Sequence, residues 1–464
     1  MADYSKYIVN ASTMTSLADG IRSLYQLSSN ALTPSEMINI LSNKLFIEPS
    51  AYSGQSVSSS ISDNYTLLIG KDAFAQCTNL SDAYFTKCKY IEEGAFASCS
   101  SLTIASFSAC TNIGNYAFSN CTALTSISFP ACTSIGGSGF LSCSSLTTAS
   151  FPVCTNIASN AFASCTALTS ISFPACTSIG YNAFGDCSSL TAASFSLCTN
   201  IENFTFSNCT ALTTASFPVC TNIENYAFYN CTALTNISFP ACTSTGYNTF
   251  WNCKSLISIS FPACTSIGNY TFASCTGLTT ASFSVCTNIG NNAFASCTVL
   301  TSISFPVCTS IGSYAFANCK SLTSISFPAC TSIGYNAFAS CTGLTTASFP
   351  VCTNIRGSVF LNCTALTAVS FPVCTSIGSS AFFNCTALTS ISIPICTNIQ
   401  GNAFAQCTNL TTVYLNNVSE VTTLGYGAFS YCDALTSIYV PSSLYTMFQS
   451  NYNWQTYSSF LVSI

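Results

Sequence analysis

Apolar and polar positions recur along this chain with a period of 22 residues. One copy begins at Cys121 and reads CTALTSISFPACTSIGGSGFLS. Polar and apolar residues alternate over Ser126–Phe129, which predicts a short β-strand with Ile127 and Phe129 pointing inward. Pro130 has no N–H to donate to a neighbouring strand, so we expect the strand to end there.

Every cysteine belongs to this repeat. The chain has 32 cysteines, and they form one series from Cys77 to Cys407 and a second from Cys88 to Cys396, with Cys432 as the last. One copy alone leaves apolar groups uncovered at both ends, so copies must stack on each other to close a core. The period therefore predicts a solenoid of about 16 stacked 22-residue turns with one parallel β-sheet.

The conserved skeleton of the copy also resembles known repeats. The spacing L-x-x-I-x-F-x-x-C-x-x-I, from Leu124 to Ile135, resembles the leucine-rich repeat signature. The stretches AF-x-x-C-x-x-L-T-x-I and C-T-x-I-G resemble the BspA-like subfamily of bacterial and protozoal surface proteins, over residues 67–440. The resemblance implies a leucine-rich-repeat solenoid with an adhesive role. The 22-residue unit and the regular cysteines depart from that subfamily.

Two variable positions in the copy change together. Where the inward strand position is alanine, as at Ala149, the position four residues later is larger, as at Val153; Ile127 is instead followed by Ala131. Close packing favours such pairing of large with small groups, although shared descent of alternating copies would also produce it. We expect both positions to belong to the core.

The two ends of the chain lack the repeat. Residues 1–48 predict a helical module with one helix over Thr15–Gln26 and a second that begins at the capping box Thr33-Pro34-Ser35-Glu36. Residues 49–65 predict a linker, residues 66–440 the solenoid, and residues 441–464 a cap on the last turn. A cap is expected because an open solenoid end invites association.

The N-terminal module carries a second resemblance. The segment SLADGIRS…ALTPSEMINIL is similar to the short helical module of tail-associated proteins in phages and prophages of gut bacteria. This resemblance implies that the module attaches the chain to a tail. The first residues, MADYSKYIVNASTMTS, lack the pattern of a signal peptide.

Charge excludes several classes of function. Charged residues are 5% of the chain, against roughly 25% in ordinary soluble domains, and there is no histidine. Nine Lys and Arg residues cannot form the basic face that a nucleic-acid binder needs. Catalysis through histidine is impossible, and carboxylate pairs are scarce. Glu202 and Glu224 occupy the same position in adjacent turns, where we expect two solvated carboxylates, with a cation site as the alternative. We expect no enzyme activity and no catalytic residues. No apolar run reaches 18 residues, so we expect no membrane insertion.

The cysteine columns allow three interpretations. Zinc sites need close cysteine pairs, and the shortest spacing here is 11 residues. Neighbours in one column lie close enough for disulfides, but parallel stacking suits the disulfide dihedral angle poorly. The favoured prediction is reduced, buried thiols that donate S–H to backbone carbonyls. We expect no metal or cofactor, and synthesis in a reducing cytoplasm.

One region differs in sequence from the other copies of the repeat, and it is the candidate binding site. Positions 207, 229 and 251 are equivalent and read Ser, Tyr and Trp, whereas the other copies mostly have Ala there. Exposed aromatic clusters are typical of recognition patches, although drift at exposed positions is an alternative. The candidate binding residues are Glu202, Phe204, Glu224, Tyr226, Tyr229, Tyr247, Trp251 and Lys254. The outward serines of the predicted strands offer a second, flat and neutral binding face.

These observations lead to three hypotheses. The first is a non-enzymatic adhesion or receptor-binding protein of a phage tail or similar extracellular particle. The second is a BspA-like cell-surface adhesin, and the third is a structural protein that self-associates into fibres or sheets, since low charge offers little repulsion. The expected partner is a host-surface protein or glycan, or a second copy of the chain. The expected location is the virion, the cell surface or the extracellular space.

Overall fold

The computed structural model describes residues 46–464, and residues 1–45, with both predicted helices, lie outside the described part. The chain divides into two compact units, with the boundary in the sequence between Val219 and Cys220. Each unit is a parallel β-solenoid in which a turn of 22 residues contributes two strands. We refer to these as the long strand and the short strand of the turn.

The long strands contain three residues, except for one of four. In the first unit they are Ser60–Ser62, Asp82–Tyr84, Ile104–Ser106, Ser126–Ser128, Thr148–Ser150, Ser170–Ser172, Ala192–Ser194 and Thr214–Ser216. In the second unit they are Asn236–Ser238, Ser258–Ser260, Thr280–Ser282, Ser302–Ser304, Ser324–Ser326, Thr346–Ser348, Ala368–Ser370, Ser390–Ser392, Thr412–Tyr414 and Ser437–Val440.

The short strands contain two residues, and each one after the first follows a long strand along the chain. The first unit has Phe46–Ile47, Leu68–Ile69, Tyr90–Ile91, Asn112–Ile113, Ser134–Ile135, Asn156–Ile157, Ser178–Ile179 and Asn200–Ile201. The second unit has Asn222–Ile223, Ser244–Thr245, Ser266–Ile267, Asn288–Ile289, Ser310–Ile311, Ser332–Ile333, Asn354–Ile355, Ser376–Ile377, Asn398–Ile399 and Thr423–Leu424.

Strands pair in parallel with the equivalent strand one turn away. Ala281, for example, lies opposite Ile259 on one side and Ile303 on the other. The ladder of long strands is interrupted within each unit, once between Ser172 and Ala192 and again at several points of the second unit. The exposed face formed by the long strands, the strand face, is therefore not one continuous sheet.

Two columns of phenylalanine rings fill the core. Phe294 is fully buried and stacks on Phe272 and Phe316, with ring centroids 5.2 and 5.1 Å apart. Phe283 and Phe305, from the second column, meet it edge to face at 6.2 and 6.0 Å. Stacked and edge-to-face contacts are both favourable for aromatic rings, so each turn locks into both neighbours.

The loop between one short strand and the next long strand is also laddered. The Phe294 N–H donates to the Ala315 carbonyl one turn away at 2.7 Å. Gly312, which follows the short strand Ser310–Ile311, lies close to the neighbouring turn, because a Cβ there would lie 2.5 Å from the Gly290 carbonyl carbon. This close approach of two backbones explains the glycine of the C-T-x-I-G stretch.

Several expectations are confirmed and others need correction. Ile127 and Phe129 are buried, and the strand ends before Pro130. The described residues form eight long-strand turns in the first unit and ten in the second, rather than 16 in all. The count was low by two, because the turn with Ser60–Ser62 has no cysteine and the turn with Ser437–Val440 follows Cys432, which breaks the 22-residue spacing. The short strands were not predicted, since two residues are too few to show an alternation.

Residues 49–65 also differ from the expected linker. Tyr52 stacks on Phe74 with ring centroids 5.0 Å apart, and Ser60–Ser62 pairs with Asp82–Tyr84. The solenoid therefore begins before residue 66. The pairing of Ala149 with Val153 does not reflect core packing, because the Val153 side chain is 42% exposed.

Irregular helices and a last strand cover the final turn. The 3-10 helix Ser442–Leu444, the α-helix Tyr445–Ser450 and the 3-10 helix Tyr452–Phe460 precede the strand Leu461–Ser463, which pairs with Ser437–Val440. The indole N–H of buried Trp454 donates to the Thr422 carbonyl at 2.7 Å. The apolar end of the second unit is therefore closed by the chain's own residues.

Candidate functional site

Four of the candidate residues form one contiguous group in the second unit, which we call the aromatic cluster: Tyr226, Tyr229, Tyr247 and Trp251. The rings of Tyr229 and Trp251 stack, with centroids 4.8 Å apart and an angle of 9°. Tyr226 contacts Tyr229 at 5.6 Å and Tyr247 edge-on at 5.2 Å. All four side chains are at least partly exposed, so an aromatic surface faces solvent.

The repeat itself produces this stacking. Tyr229 and Trp251 occupy the same position in successive turns, and the backbone beside them is laddered by a 2.8 Å bond from the Asn230 N–H to the Trp251 carbonyl. The Asn252 side-chain amide donates to the Asn230 side-chain oxygen at 2.6 Å. Side chains at equivalent positions must lie one above the other, so two aromatic residues there stack without further arrangement.

Buried threonines distinguish the same turns. Thr245 replaces the usual isoleucine of the short strand, and its hydroxyl accepts from the Gly268 N–H at 3.1 Å. It also lies 3.3 Å from the Thr271 hydroxyl. Thr249 donates to the Gly246 carbonyl at 2.8 Å. The buried hydroxyls are therefore satisfied, as buried polar groups generally are, and the backbone ladder is locally rerouted beside Tyr247.

The other four candidate residues do not belong to the aromatic cluster. Glu202 and Phe204 belong to the first unit, where Glu202 accepts from the Asn200 amide at 3.0 Å and Phe204 meets Tyr181 edge-on at 5.6 Å. In the second unit Glu224 accepts from the Asn222 amide at 2.7 Å. Lys254 is exposed. Each carboxylate thus has a partner from its own short strand.

The sequence analysis missed further tyrosines on the same loops. Each member of a further row lies two or three residues after the end of a short strand, and we call this row the tyrosine edge: Tyr226, Tyr247, Tyr270, Tyr314 and Tyr335. The last four are 43–53% exposed. The Arg356 guanidinium lies 5.4 Å from the Tyr335 ring centre. Comparing two adjacent loop positions across the copies, the one of Tyr247 and the one of Tyr270, would have revealed the row.

The thiols of both cysteine columns are buried and form no disulfide bonds with each other. Every one of the 32 thiols is free and buried. In one column Cys275 donates its S–H to the Phe250 carbonyl at 3.2 Å, and in the other Cys286 donates to the Asn288 carbonyl at 3.2 Å. Burial raises the pKa of Cys275 to about 12. The thiolate, which is the reactive form, is therefore suppressed.

We expect the folded protein to resist thiol reagents. At pH 8, a reagent that modifies accessible thiolates should find almost none of the 32 cysteines in the native chain and nearly all of them in denaturant. Protein never exposed to oxidant should be used without reductant. If fewer than half of the thiols are found in denaturant, the columns contain disulfides and this account of them is wrong.

The same burial predicts the pH dependence of stability. Burial raises the pKa of the Cys264 and Cys341 thiols from 9.0 to about 12. A raised folded-state pKa contributes stability fully below the unfolded value, and this contribution is lost as pH rises through the folded value. We therefore expect the free energy of unfolding contributed by these groups to fall between pH 9 and pH 12, as measured by denaturant titrations.

Over residues 46–464, no group of three or more cysteine, aspartate or glutamate side chains is arranged to hold a metal ion. No helix in that part of the chain has the length and hydropathy needed to cross a bilayer.

Each unit is a solenoid of similar turns that are joined by backbone hydrogen bonds and carry exposed aromatic side chains on their loops. This architecture is that of a leucine-rich-repeat protein. The chain belongs to the family described as the BspA type leucine rich repeat region. The family model matches residues 45–166, 155–279, 199–307, 287–411 and 331–459. A comparison with curated proteins finds no match.

Three solved structures are similar to this chain. A leucine-rich repeat protein from Bacteroides ovatus ATCC 8483 has 24% identity and a TM-score of 0.43, over 86% of this chain and 88% of that one. A leucine rich cell surface protein from Faecalibacterium prausnitzii A2-165 has 26% identity and a TM-score of 0.36, over 56% and 83%. A leucine-rich repeat protein from Eubacterium ventriosum ATCC 27560 has 22% identity and a TM-score of 0.40, over 67% and 83%.

Proposed function

We propose that this chain is a non-enzymatic adhesion protein that acts at a cell surface and binds its partner through the aromatic cluster. The observation that carries the proposal is the stack of Tyr229 on Trp251, flanked by Tyr226 and Tyr247, at a solvent-facing position. Aromatic side chains supply large contact area at little entropic cost, and they are enriched among residues that dominate binding energy.

The rest of the second unit supports a binding role. Between Glu224 and Lys320 the only charged residue is Lys254, so the cluster stands on a surface with little electrostatic preference. The position that Tyr229 and Trp251 occupy in their turns holds alanine in many other copies, as at Ala273 and Ala295. The fold tolerates a small residue there, so the two rings are not needed to complete a turn.

Family membership supports the cell-surface location over the phage tail. The family model covers the repeats, and the repeats resemble surface proteins. The phage-tail hypothesis depends on the segment before residue 46, which lies outside the described residues. Antibody labelling of the producing cells and of any phage particles they release separates the two locations. The proposal requires the label on cell envelopes, and label confined to particles would replace it with the phage-tail hypothesis.

The binding claim is tested by replacing both stacked rings. Trp251→Ala with Tyr229→Ala should lower attachment of the fluorescent chain to a panel of bacterial and epithelial cells by at least about thirtyfold, since truncating one anchor costs roughly 2 kcal/mol or more. Attachment is measured by flow cytometry over a concentration series. Alanine is the usual residue of this column, so the variant should melt like the parent chain.

A second variant controls for the strand face. Ser258→Asp with Ser260→Asp adds charge to two exposed outward positions of one long strand and leaves the cluster intact. This variant should attach normally. Normal attachment of the aromatic variant together with loss in the serine variant would place the site on the strand face and overturn the proposal.

A further inference from the structure

We propose that the ligand is a neutral polysaccharide chain that lies along the tyrosine edge of the second unit and reaches the aromatic cluster at one end. This inference rests on the proposed adhesive function and names the class of its ligand. Its first support is continuity, because Tyr226 and Tyr247 belong to both the cluster and the edge. The row then continues through Tyr270, Tyr314 and Tyr335.

Backbone strain at three of the five tyrosines indicates that these three are retained for their side chains. Tyr226, Tyr270 and Tyr314 have φ of 58°, 57° and 58°. This left-handed region suits asparagine and glycine but disfavours bulky residues. Other turns place asparagine at the same position, as at Asn248 and Asn292. A tyrosine at this position adopts an unfavourable φ, and backbone strain of this kind is concentrated at functional sites.

Regular spacing favours a regular ligand. The core rings beside the loops keep a nearly constant separation, 5.2 Å from Phe272 to Phe294 and 5.1 Å from Phe294 to Phe316. On the strand side, the separation opens to 6.0 Å from Phe305 to Phe327, where the ladder of long strands is interrupted. The spacing between turns is therefore more even on the loop side. A polymer of identical units can bind there in several positions, each shifted by one turn.

Exposed asparagines add hydrogen-bonding groups between the rings. The Asn269 side-chain oxygen accepts from the Asn291 N–H at 2.7 Å, and the Asn291 side-chain oxygen accepts from the Ser313 N–H at 2.7 Å. These bonds fix the amides on the loop. The other end of each amide, Nδ2, is a donor that a sugar hydroxyl can accept from.

The chemistry of the edge selects among ligand classes. Stacked aromatic rings fit the apolar faces of sugar rings, and amides fit their hydroxyl groups. From residue 224 to residue 356 the charged residues are Glu224, Lys254, Lys320 and Arg356, so there is no basic cluster of the kind that recognises sulfated or phosphorylated ligands. Neutral sugars therefore suit the edge better than acidic ones.

Affinity electrophoresis tests the inference with named polymers. The full chain is run in native gels that contain hydroxyethylcellulose, galactomannan, laminarin or dextran, and in gels that contain the anionic polymers alginate and hyaluronan. At least one neutral polymer should retard the chain in a concentration-dependent way, and the anionic polymers should retard it no more than a reference protein. Absence of retardation by all four neutral polymers, or stronger retardation by the anionic ones, overturns the inference.

Variants locate the site without disturbing the fold. Tyr270→Asn with Tyr314→Asn installs the residue that other turns use at this backbone position, and it should weaken retardation at least about tenfold. Asn292→Tyr fills the gap in the row and should strengthen retardation. Val285→Ala with Val307→Ala removes equally exposed apolar groups, each 42% exposed, and should have no effect. If the Tyr270→Asn with Tyr314→Asn variant is retarded as strongly as the parent chain, the inference is overturned.

The two proposals fail in different ways. If Trp251→Ala with Tyr229→Ala abolishes attachment to cells but no neutral polymer is bound, the adhesive function stands and the ligand class is wrong. If a neutral polymer is bound through Tyr270 and Tyr314 while the cluster variant attaches normally, the edge is a binding site and the proposed adhesive site is wrong.

Discussion

Phe294→Ala is expected to destabilise the second unit by about 3–5 kcal/mol, the usual cost of truncating a buried phenylalanine. Phe294 is fully buried, stacks on two rings of its own column and meets two rings of the other. Its loss leaves a cavity in the middle of the stack. Because each turn contacts only its neighbours, the damage should also lower the cooperativity of unfolding.

Denaturant titrations followed by circular dichroism measure this effect. Val307→Ala is the matched control, since its side chain lies 42% exposed in a nearby turn, and it should change the free energy of unfolding by less than about 1 kcal/mol. An unchanged midpoint and slope for the Phe294 variant would show that the phenylalanine columns do not hold the solenoid together.

Trp454→Ala is expected to have the second largest effect, because it opens the end of the second unit. The indole is fully buried, contacts Phe448 edge-on at 5.1 Å and donates to the Thr422 carbonyl at 2.7 Å. Its truncation should cost about 3–5 kcal/mol. The exposed last turn would then present unpaired strand edges and apolar rings, which favour association between copies.

Calorimetry and sedimentation over a tenfold concentration range test both consequences. The variant should melt earlier and associate as its concentration rises, whereas Tyr452→Ala, at a residue 84% exposed, should do neither. A Trp454 variant that remains monomeric and melts like the parent would mean that residues 441–464 do not protect the end of the solenoid.

The regular features of the fold were predictable because the sequence repeats them. Ile127, Phe129 and the cysteine columns recur often enough for periodicity to identify them as core. The short strands escaped prediction because a two-residue strand such as Ser134–Ile135 is defined by its neighbours, one turn away, and not by a local pattern. Val153 was misassigned for a related reason, since a correlation between two positions does not say which of them faces inward.

The candidate site was predictable where it departs from the repeat. Tyr229 and Trp251 stand out because the other copies mostly have alanine there, and stacking follows from their equivalent positions. The tyrosine edge was overlooked because its members alternate between two adjacent loop positions, as Tyr247 and Tyr270 do. The left-handed backbone that makes Tyr270 and Tyr314 notable could not be read from the residues alone.

The central claim is that the chain binds surfaces through the aromatic cluster, and Trp251 can report on it directly. The chain has two tryptophans, so Trp454→Phe leaves Trp251 as the only indole and keeps an aromatic ring at the cap. Acrylamide quenching of this variant should be measured while envelope fragments from cells that it attaches to are added. We predict a saturable decrease in the quenching constant as the fragments cover Trp251. Full attachment with unchanged quenching would contradict the claim, because the partner would then be bound elsewhere on the chain.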